Sequence, residues 1–144
     1  MENILKIRKS ILIRKIINEN RLTNRIKQDL DSCPCYTGIR CHNNLSDYEM
    51  ICLLCVCPEY NKNSPEGGCN LNESGNLGDS KGKWFYNKNL LTGRIWDCSD
   101  CNIPHTKKYV KYYLNQFSTT QLEDIKKCKN ITDMWNFFES VSWK

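Results

Sequence analysis

Cysteine and histidine are the residues of this chain whose types and spacing indicate chemistry. Ten cysteines occur in 144 residues, and nine of them, with both histidines, fall between residues 33 and 105. Two residues between paired cysteines let both sulfurs reach one ion, so a Cys-x-x-Cys pattern with further Cys and His nearby predicts a metal site. The candidate ligands are Cys33, Cys35, Cys41, His42, Cys52, Cys55, Cys57, Cys69, Cys98, Cys101 and His105.

The two Cys-x-x-Cys pairs could together supply one four-thiolate site. These pairs are Cys52/Cys55 and Cys98/Cys101, with 42 residues between the second and third cysteines. That separation is no obstacle, because the entropy of closing a loop rises by only about 0.6 kcal/mol per doubling of its length. The sequence therefore predicts these four cysteines as the first ligands.

The other candidate ligands leave two interpretations open. One is a second zinc site drawn from Cys41/His42, Cys57, Cys69 and His105. The other is a four-iron, four-sulfur (4Fe-4S) cluster on four thiolates, with Cys-x-x-Cys-x-Cys-Pro at its core, although the full ferredoxin run is absent. Soft sulfur ligands suit both, so the donor type does not separate zinc from iron–sulfur.

Three cysteines have weaker assignments. Cys33 and Cys35 stand only two positions apart and are either further ligands or a redox pair. Cys128 lies outside the cluster on a predicted helix, and we interpret it as an ordinary cysteine.

Apolar residues are scarce in the cysteine-rich segment. Only sixteen of the 73 residues from Cys33 to His105 are Leu, Ile, Val, Met, Phe or Trp, whereas the first thirty residues contain twelve. Folding must offset roughly 1–2 kcal/mol of backbone entropy per residue, and structural zinc contributes about 10–16 kcal/mol in finger peptides. We expect metal to stabilise this segment.

The first thirty residues carry the whole net charge and predict a helix. They hold eight basic and three acidic side chains, 8 − 3 = +5, whereas the remaining residues hold thirteen of each. We expect a packing helix with solvated charges, broken near residues 18–20; weak surface contact with an anionic membrane is the alternative. Ile4, Ile7, Ile11, Leu22 and Ile26 share one apolar stripe. Beside it lie Leu5, Leu12, Ile16 and Leu30, and nearly opposite lie Ile13 and Ile17.

The predicted fold is a small α+β protein in three segments. Residues 1–30 form the basic N-terminal helix, residues 31–105 an irregular metal-stabilised Cys-rich domain with short strands, and residues 106–144 a C-terminal helical segment. Within the middle, residues 84–86 and 92–97 predict a hairpin with Gly93 near its turn. Three helices follow, the second opening at Thr120 with a capping box.

Four motifs of the middle segment resemble the cysteine-rich small domain family of archaea and bacteria. They are Cys41-His42, the run Ile51-Cys-Leu-Leu-Cys-Val-Cys-Pro-Glu-Tyr60, Gly67-Gly-Cys69, and the closing Asp97-Cys-Ser-Asp-Cys-Asn-Ile-Pro-His105. The resemblance covers about residues 33–105. Arg40 and Glu59 depart from the family's proline and leucine, and residues 70–83 look like an insertion.

The resemblance implies metal binding, with zinc or an iron–sulfur cluster as the cofactor. The family occurs alone or fused to enzymes of cobalamin biosynthesis, so the resemblance implies a protein partner, with an enzyme of cofactor biosynthesis as the candidate. It implies no reaction for a free-standing copy. The chain itself has no Ser/His/Asp set, P-loop or dinucleotide glycine motif.

The sequence therefore favours a metal-binding accessory or structural module over an enzyme. One alternative is an iron–sulfur redox or electron-transfer protein. Another is a zinc-dependent nucleic-acid-binding protein using the basic and aromatic residues 107–113; nucleic acid is not favoured, because Val110, Tyr113, Leu114 and Phe117 predict one buried helical face. Lacking a secretory signal and any run of 18 apolar residues, the chain is expected in the reducing cytoplasm.

Overall fold

The computed structural model describes residues 2–28, 33–38, 41–42, 45–54, 57–61, 63–69, 82–98, 101–128 and 130–141. Within these residues the protein is α+β, as predicted, with helices before and after a two-stranded antiparallel sheet. None of its described helices is long and apolar enough to cross a membrane. The elements are α1 (Glu2–Glu19), α2 (Leu22–Gln28), a 3-10 turn (Pro34–Tyr36), β1 (Lys83–Tyr86), β2 (Arg94–Asp97), a 3-10 turn (Ile103–His105), α3 (Lys107–Leu114), α4 (Thr119–Lys127) and α5 (Ile131–Ser140).

The break in the N-terminal helix lies where the sequence predicts it. Helix α1 ends at Glu19, and the Asn20 side chain then donates a hydrogen bond of 2.8 Å to the carbonyl of Ile16. The Asn20 backbone N–H donates to the same carbonyl at 3.2 Å, so this one residue closes the last turn of the helix with both its main chain and its side chain. Arg21 follows in extended pairing with Ile51 before α2 begins, so the break brings the N-terminal segment against the cysteine-rich middle.

The buried face of α1 differs from the predicted stripe. Ile4 and Ile7 are 69% and 60% exposed, and Ile11 is exposed too, whereas Ile16 and Ile17 are buried. The predicted stripe was therefore wrong for α1. The face that carries Ile4 continues along the helix into Arg14 and Asn18, which are costly to bury. The opposite face continues into apolar residues, and that face is therefore the one that packs.

The predicted hairpin forms between β1 and β2. Trp84 pairs with Trp96 across the strands, their rings 5.1 Å apart edge to face, and such aromatic pairs stabilise a register. Gly93 adopts a positive φ of 86° at the end of the connection, a conformation that costs glycine little. The backbone N–H of Trp96 donates to the carbonyl of Glu66, which ties the hairpin to the loop containing Cys69.

The C-terminal helices have the predicted order with one corrected start. Helix α4 opens with a capping box formed by Ser118 and Gln121, not at Thr120. Each of these two side chains accepts a hydrogen bond from the other residue's backbone N–H. Ser-Thr-Thr-Gln meets the same spacing rule two residues earlier, so the pattern alone permitted both starts.

One hydrophobic core joins the predicted segments. Ile13 and Ile16 of α1 belong to the same buried cluster as the run from Met50 to Leu54 and as Leu114 and Phe138 of the C-terminal helices. Residues 50–54 of the cysteine-rich segment thus pack among the helices rather than depending only on a metal. This packing fixes the backbone on which the candidate ligands lie.

Candidate metal centre

His105 is the most firmly positioned of the candidate ligands. It ends a short 3-10 turn that begins at Ile103 and contains Pro104. Its carbonyl accepts a hydrogen bond of 3.0 Å from the Ile51 N–H, and its Nδ1 lies 2.9 Å from the Ile51 carbonyl oxygen. Because a carbonyl only accepts, Nδ1 must carry the proton, which leaves the lone pair on Nε2 for an ion.

The protonation state of His105 also suits a metal ligand. Burial lowers its pKa to about 4, against an opposing contribution from the hydrogen bond to Ile51, and the neighbouring His42 lowers it further. The imidazole is therefore neutral at physiological pH. A neutral ring whose other nitrogen donates to a backbone carbonyl is the usual arrangement of histidine at a protein metal site.

Cys41 and His42 complete a convergent group with His105. One ligand atom from each of the three lies within 4.8 Å of the others, and the two imidazole rings are 4.6 Å apart between centroids. Cys41 is exposed, His42 is half-buried with its Nδ1 atom buried, and His105 is buried. The group therefore has a closed side at His105 and an open side at Cys41.

The spacing of the three ligand atoms is close to what zinc requires. Zn–S bonds of about 2.3 Å and Zn–N bonds of about 2.0 Å in a tetrahedron separate the ligand atoms by about 3.3 to 3.8 Å. A contraction on the order of 1 Å would bring three atoms within 4.8 Å to that spacing. One thiol and two imidazoles are also a donor set that zinc accepts and that an all-thiolate iron–sulfur cluster does not use.

A second, looser group consists of thiols alone. The charges of Cys69, Cys98 and Cys101 each raise the pKa of Cys57, after the larger effect of burial, and that pKa reaches about 12. Burial, followed by the charges of Cys101 and Cys69, raises the pKa of Cys98 to about 11. Cys57 and Cys98 thus each lie near enough to Cys69 and Cys101 to feel the charge of a thiolate there, a repulsion that a bound cation would offset.

Backbone hydrogen bonds position the four cysteines through two turns and one isolated bridge. The N–H of Cys101 donates to the carbonyl of Cys98 at 3.0 Å, which closes the Cys-x-x-Cys turn, and the N–H of Tyr60 donates to the carbonyl of Cys57. Tyr60 also pairs with Cys69 in an isolated antiparallel bridge. Among the described residues, however, no three of these sulfurs approach within 4.8 Å, as the Cys41 group does.

The remaining sequence-predicted residues lie elsewhere or outside the described residues. Cys52 is buried in the core and donates its N–H to the Asn20 carbonyl at 2.7 Å. Cys33 and Cys35 flank Pro34 beside α2, where burial raises the pKa of Cys33. Cys55 lies outside the described residues, so a four-thiolate site of Cys52/Cys55 with Cys98/Cys101 stays a prediction.

Sequence reasoning missed the part played by Ile51. Its carbonyl fixes the His105 tautomer and its N–H fixes the His105 backbone, but an apolar residue before a cysteine carries no signal for such a role. The approach of Cys57 to Cys69 was equally hidden, because it depends on the antiparallel bridge at Tyr60. The hydrogen bond from Trp96 to Glu66 then joins this loop to the strand that precedes Cys98. No family model, curated protein or solved structure matches this chain.

Proposed function

We propose that this protein is a zinc-binding structural module in which Cys41, His42 and His105 supply three ligands of one site. The observation that carries the proposal is the convergence of one ligand atom from each within 4.8 Å. It is supported by the hydrogen bond that leaves Nε2 of His105 as the available nitrogen.

The four thiols Cys57, Cys69, Cys98 and Cys101 are proposed as the ligands of a second ion. Their mutual electrostatic effects support this assignment, since a cation would turn repulsion among thiolates into shared coordination. With zinc at both places the protein binds two ions. The resemblance to the cysteine-rich small domain family is part of the same proposal, and with it an accessory role beside a protein partner.

An ion at either place would hold together segments that are distant along the chain. Cys41 and His105 lie on opposite sides of the insertion and hairpin, so coordination closes a loop of more than sixty residues. The benefit is structural: the described residues contain the apolar cluster of the helices, whereas the hairpin side has few apolar residues to bury. The metal would therefore chiefly order the region beyond residue 57.

Elemental analysis with an absorption spectrum tests the proposal, on protein expressed and purified without air. We expect about two zinc ions per chain and no visible band. A visible charge-transfer band with stoichiometric iron and acid-labile sulfide would instead assign an iron–sulfur redox protein. Metal-free protein that binds neither added zinc nor added iron would refute metal binding altogether.

Matched variants locate the first ion. Cys41→Ser removes an exposed thiol of the convergent group, whereas Cys128→Ser removes a thiol on the end of α4, far along the chain from every candidate ligand. We expect Cys41→Ser to lose about one zinc equivalent and Cys128→Ser to lose none. Equal zinc content in the two variants would exclude Cys41 as a ligand.

A further inference from the structure

A cavity lined by cations lies between α1 and α3. Its volume is about 310 Å³, and every ionisable side chain on its wall except Tyr48 is basic, namely Arg14, Arg21, Lys107 and Lys111. A neighbouring cavity of about 320 Å³ shares Lys111 with it and adds Lys6 and Lys9. We call the two together the cationic groove. Among the residues that the structure describes, no Asp or Glu lines either cavity.

Arg21 is the best evidence that the cationic groove receives an anion. Only 8% of this residue is exposed. Its guanidinium donates to the side-chain oxygen of Asn18 at 3.1 Å and to the carbonyl of Tyr48 at 2.8 Å, and it lies 4.3 Å from the centre of the Tyr48 ring. Buried arginines are normally paired with a carboxylate or another anion, yet every hydrogen-bond and ring partner of the Arg21 guanidinium among the described residues is neutral.

Among the described residues, Arg14, Lys107 and Lys111 have no carboxylate partner either. The ion pairs found there include Arg8 with Glu123, Arg94 with Glu66, and Lys126 with Glu19. None of the four cations of the first cavity takes part in them. Uncompensated like charges around a concave wall create a positive potential that attracts anions.

The start of α3 adds to this potential. Lys107 is the first residue of the helix, Lys108 is the second, and no acidic residue occupies the first turn. Unpaired N–H groups make a helix start partly positive, so lysines there are unfavourable unless an anion is nearby. The cavity and the helix start therefore point to the same class of ligand.

We propose that the cationic groove binds the phosphate groups of an anionic ligand. A volume near 310 Å³ is at the small end of the usual range for ligand sites, about 300–1,000 Å³. Cations spread along two adjoining cavities fit several phosphates rather than one. The source is either a small polyphosphate or the backbone of a single-stranded nucleic acid, for which the exposed ring of Tyr48 offers a stacking surface.

The predicted burial in α3 is compatible with this proposal. Val110, Leu114 and Phe117 are buried, as the sequence predicts, whereas Tyr113 is half-buried. Tyr109, which the sequence did not single out, is buried on the same helix. Lys107 and Lys111 are exposed on another face of the same helix and line the cavity. A buried aromatic face and a phosphate-binding basic face thus coexist on α3.

The test uses the full zinc-loaded chain with two probes, tripolyphosphate and a short fluorescent oligouridylate. The Lys107→Gln/Lys111→Gln variant removes two charges from the groove. The control, Lys88→Gln/Lys127→Gln, removes two exposed lysines that line neither cavity and lie away from the start of α3. We expect the groove variant to bind at least about tenfold more weakly and, with the oligonucleotide, to reduce the salt slope by about 1.4, as two lost single-strand phosphate contacts require.

The outcomes separate the two sources and can overturn the proposal. If tripolyphosphate binds as tightly as the oligouridylate, the ligand is a small polyphosphate. If the oligouridylate binds about tenfold more tightly than tripolyphosphate, the ligand is a single-stranded nucleic acid. Absence of saturable binding to both probes at low salt refutes the groove, as does an equal loss in the control variant. The four replaced lysines are exposed, so circular dichroism and zinc content should match the parent protein and leave these readings unambiguous.

Discussion

Two substitutions of His105 separate its role in metal binding from its role in the apo fold. In His105→Asn, the side-chain amide nitrogen falls near the place of Nδ1 and can still donate to the Ile51 carbonyl, 2.9 Å away in the parent, but nothing replaces Nε2. In His105→Gln, the longer side chain carries its amide toward the place of Nε2, and the bond to Ile51 is lost. His105→Asn thus removes the metal-binding nitrogen but keeps the hydrogen bond to Ile51, whereas His105→Gln also loses that hydrogen bond.

The expected magnitudes follow from the structure. Zinc binding of about 10–16 kcal/mol divided over four ligands gives about 3 kcal/mol for one ligand, which corresponds to a loss of affinity of about 100-fold or more. We expect this loss in both variants. The apo stability differs: leaving the Ile51 carbonyl unsatisfied costs about 1–3 kcal/mol in His105→Gln, whereas His105→Asn should stay nearer the parent.

The assay is a zinc competition titration beside urea unfolding of chelator-stripped protein. Cobalt can replace zinc as a coloured reporter, since a ligand lost at His105 should change its visible spectrum. Zinc affinity in His105→Asn within about twofold of the parent would refute the assignment of Nε2 as a ligand atom. Equal apo stability of the two variants would refute the proposed role of the Ile51 carbonyl.

Three further predictions concern packing, the thiol group and alkaline pH. In urea unfolding, Ile16→Ala should cost about 2–5 kcal/mol because Ile16 is fully buried, whereas Ile7→Ala should stay within about 0.5 kcal/mol because that side chain is largely exposed; equal costs would contradict the observed face of α1. Cys101→Ser should lose zinc by elemental analysis while Cys128→Ser keeps it, and unchanged zinc in Cys101→Ser would exclude that ligand. Burial, followed by the charge of Glu59, raises the pKa of Tyr113 to about 12, so the native state keeps a proton that the unfolded chain loses near pH 10; stability should fall between about pH 10 and 12, by about 1 kcal/mol after discounting for partial exposure, and Tyr113→Phe should remove that part of the decline in pH-dependent unfolding.

The sequence predicts the helical parts of the fold well where local rules decide them. The end of α1 near residue 20 depends on Asn20 and Ile16, four positions apart. The hairpin around Gly93 depends on a short connection between Trp84 and Trp96, which lie twelve positions apart. Periodicity alone misjudged which face of α1 is buried. Two stripes of isoleucine compete there, and the core of the folded chain, rather than the helix itself, selects between them.

The candidate site was predictable in composition but not in grouping. Ligand types follow from the motifs, since Cys and His at these spacings favour a metal. The partition of the ligands depends on long-range backbone pairing, such as Tyr60 with Cys69 and Ile51 with His105. No local pattern encodes those pairs, and the cationic groove likewise arises only when residues from α1 and α3 meet.

The strap formed by residues 50–52 has a consequence for how an ion would come and go. Its backbone is bonded on one side to Leu22 and Asn20 and on the other to His105, so the imidazole is held in place before any ion arrives. The thiol of Cys41 lies on the opposite, solvent-facing side of the site. An ion should therefore bind the fixed His105 imidazole first and the Cys41 thiol last. Oxidants and competing chelators should reach the site first at that same thiol.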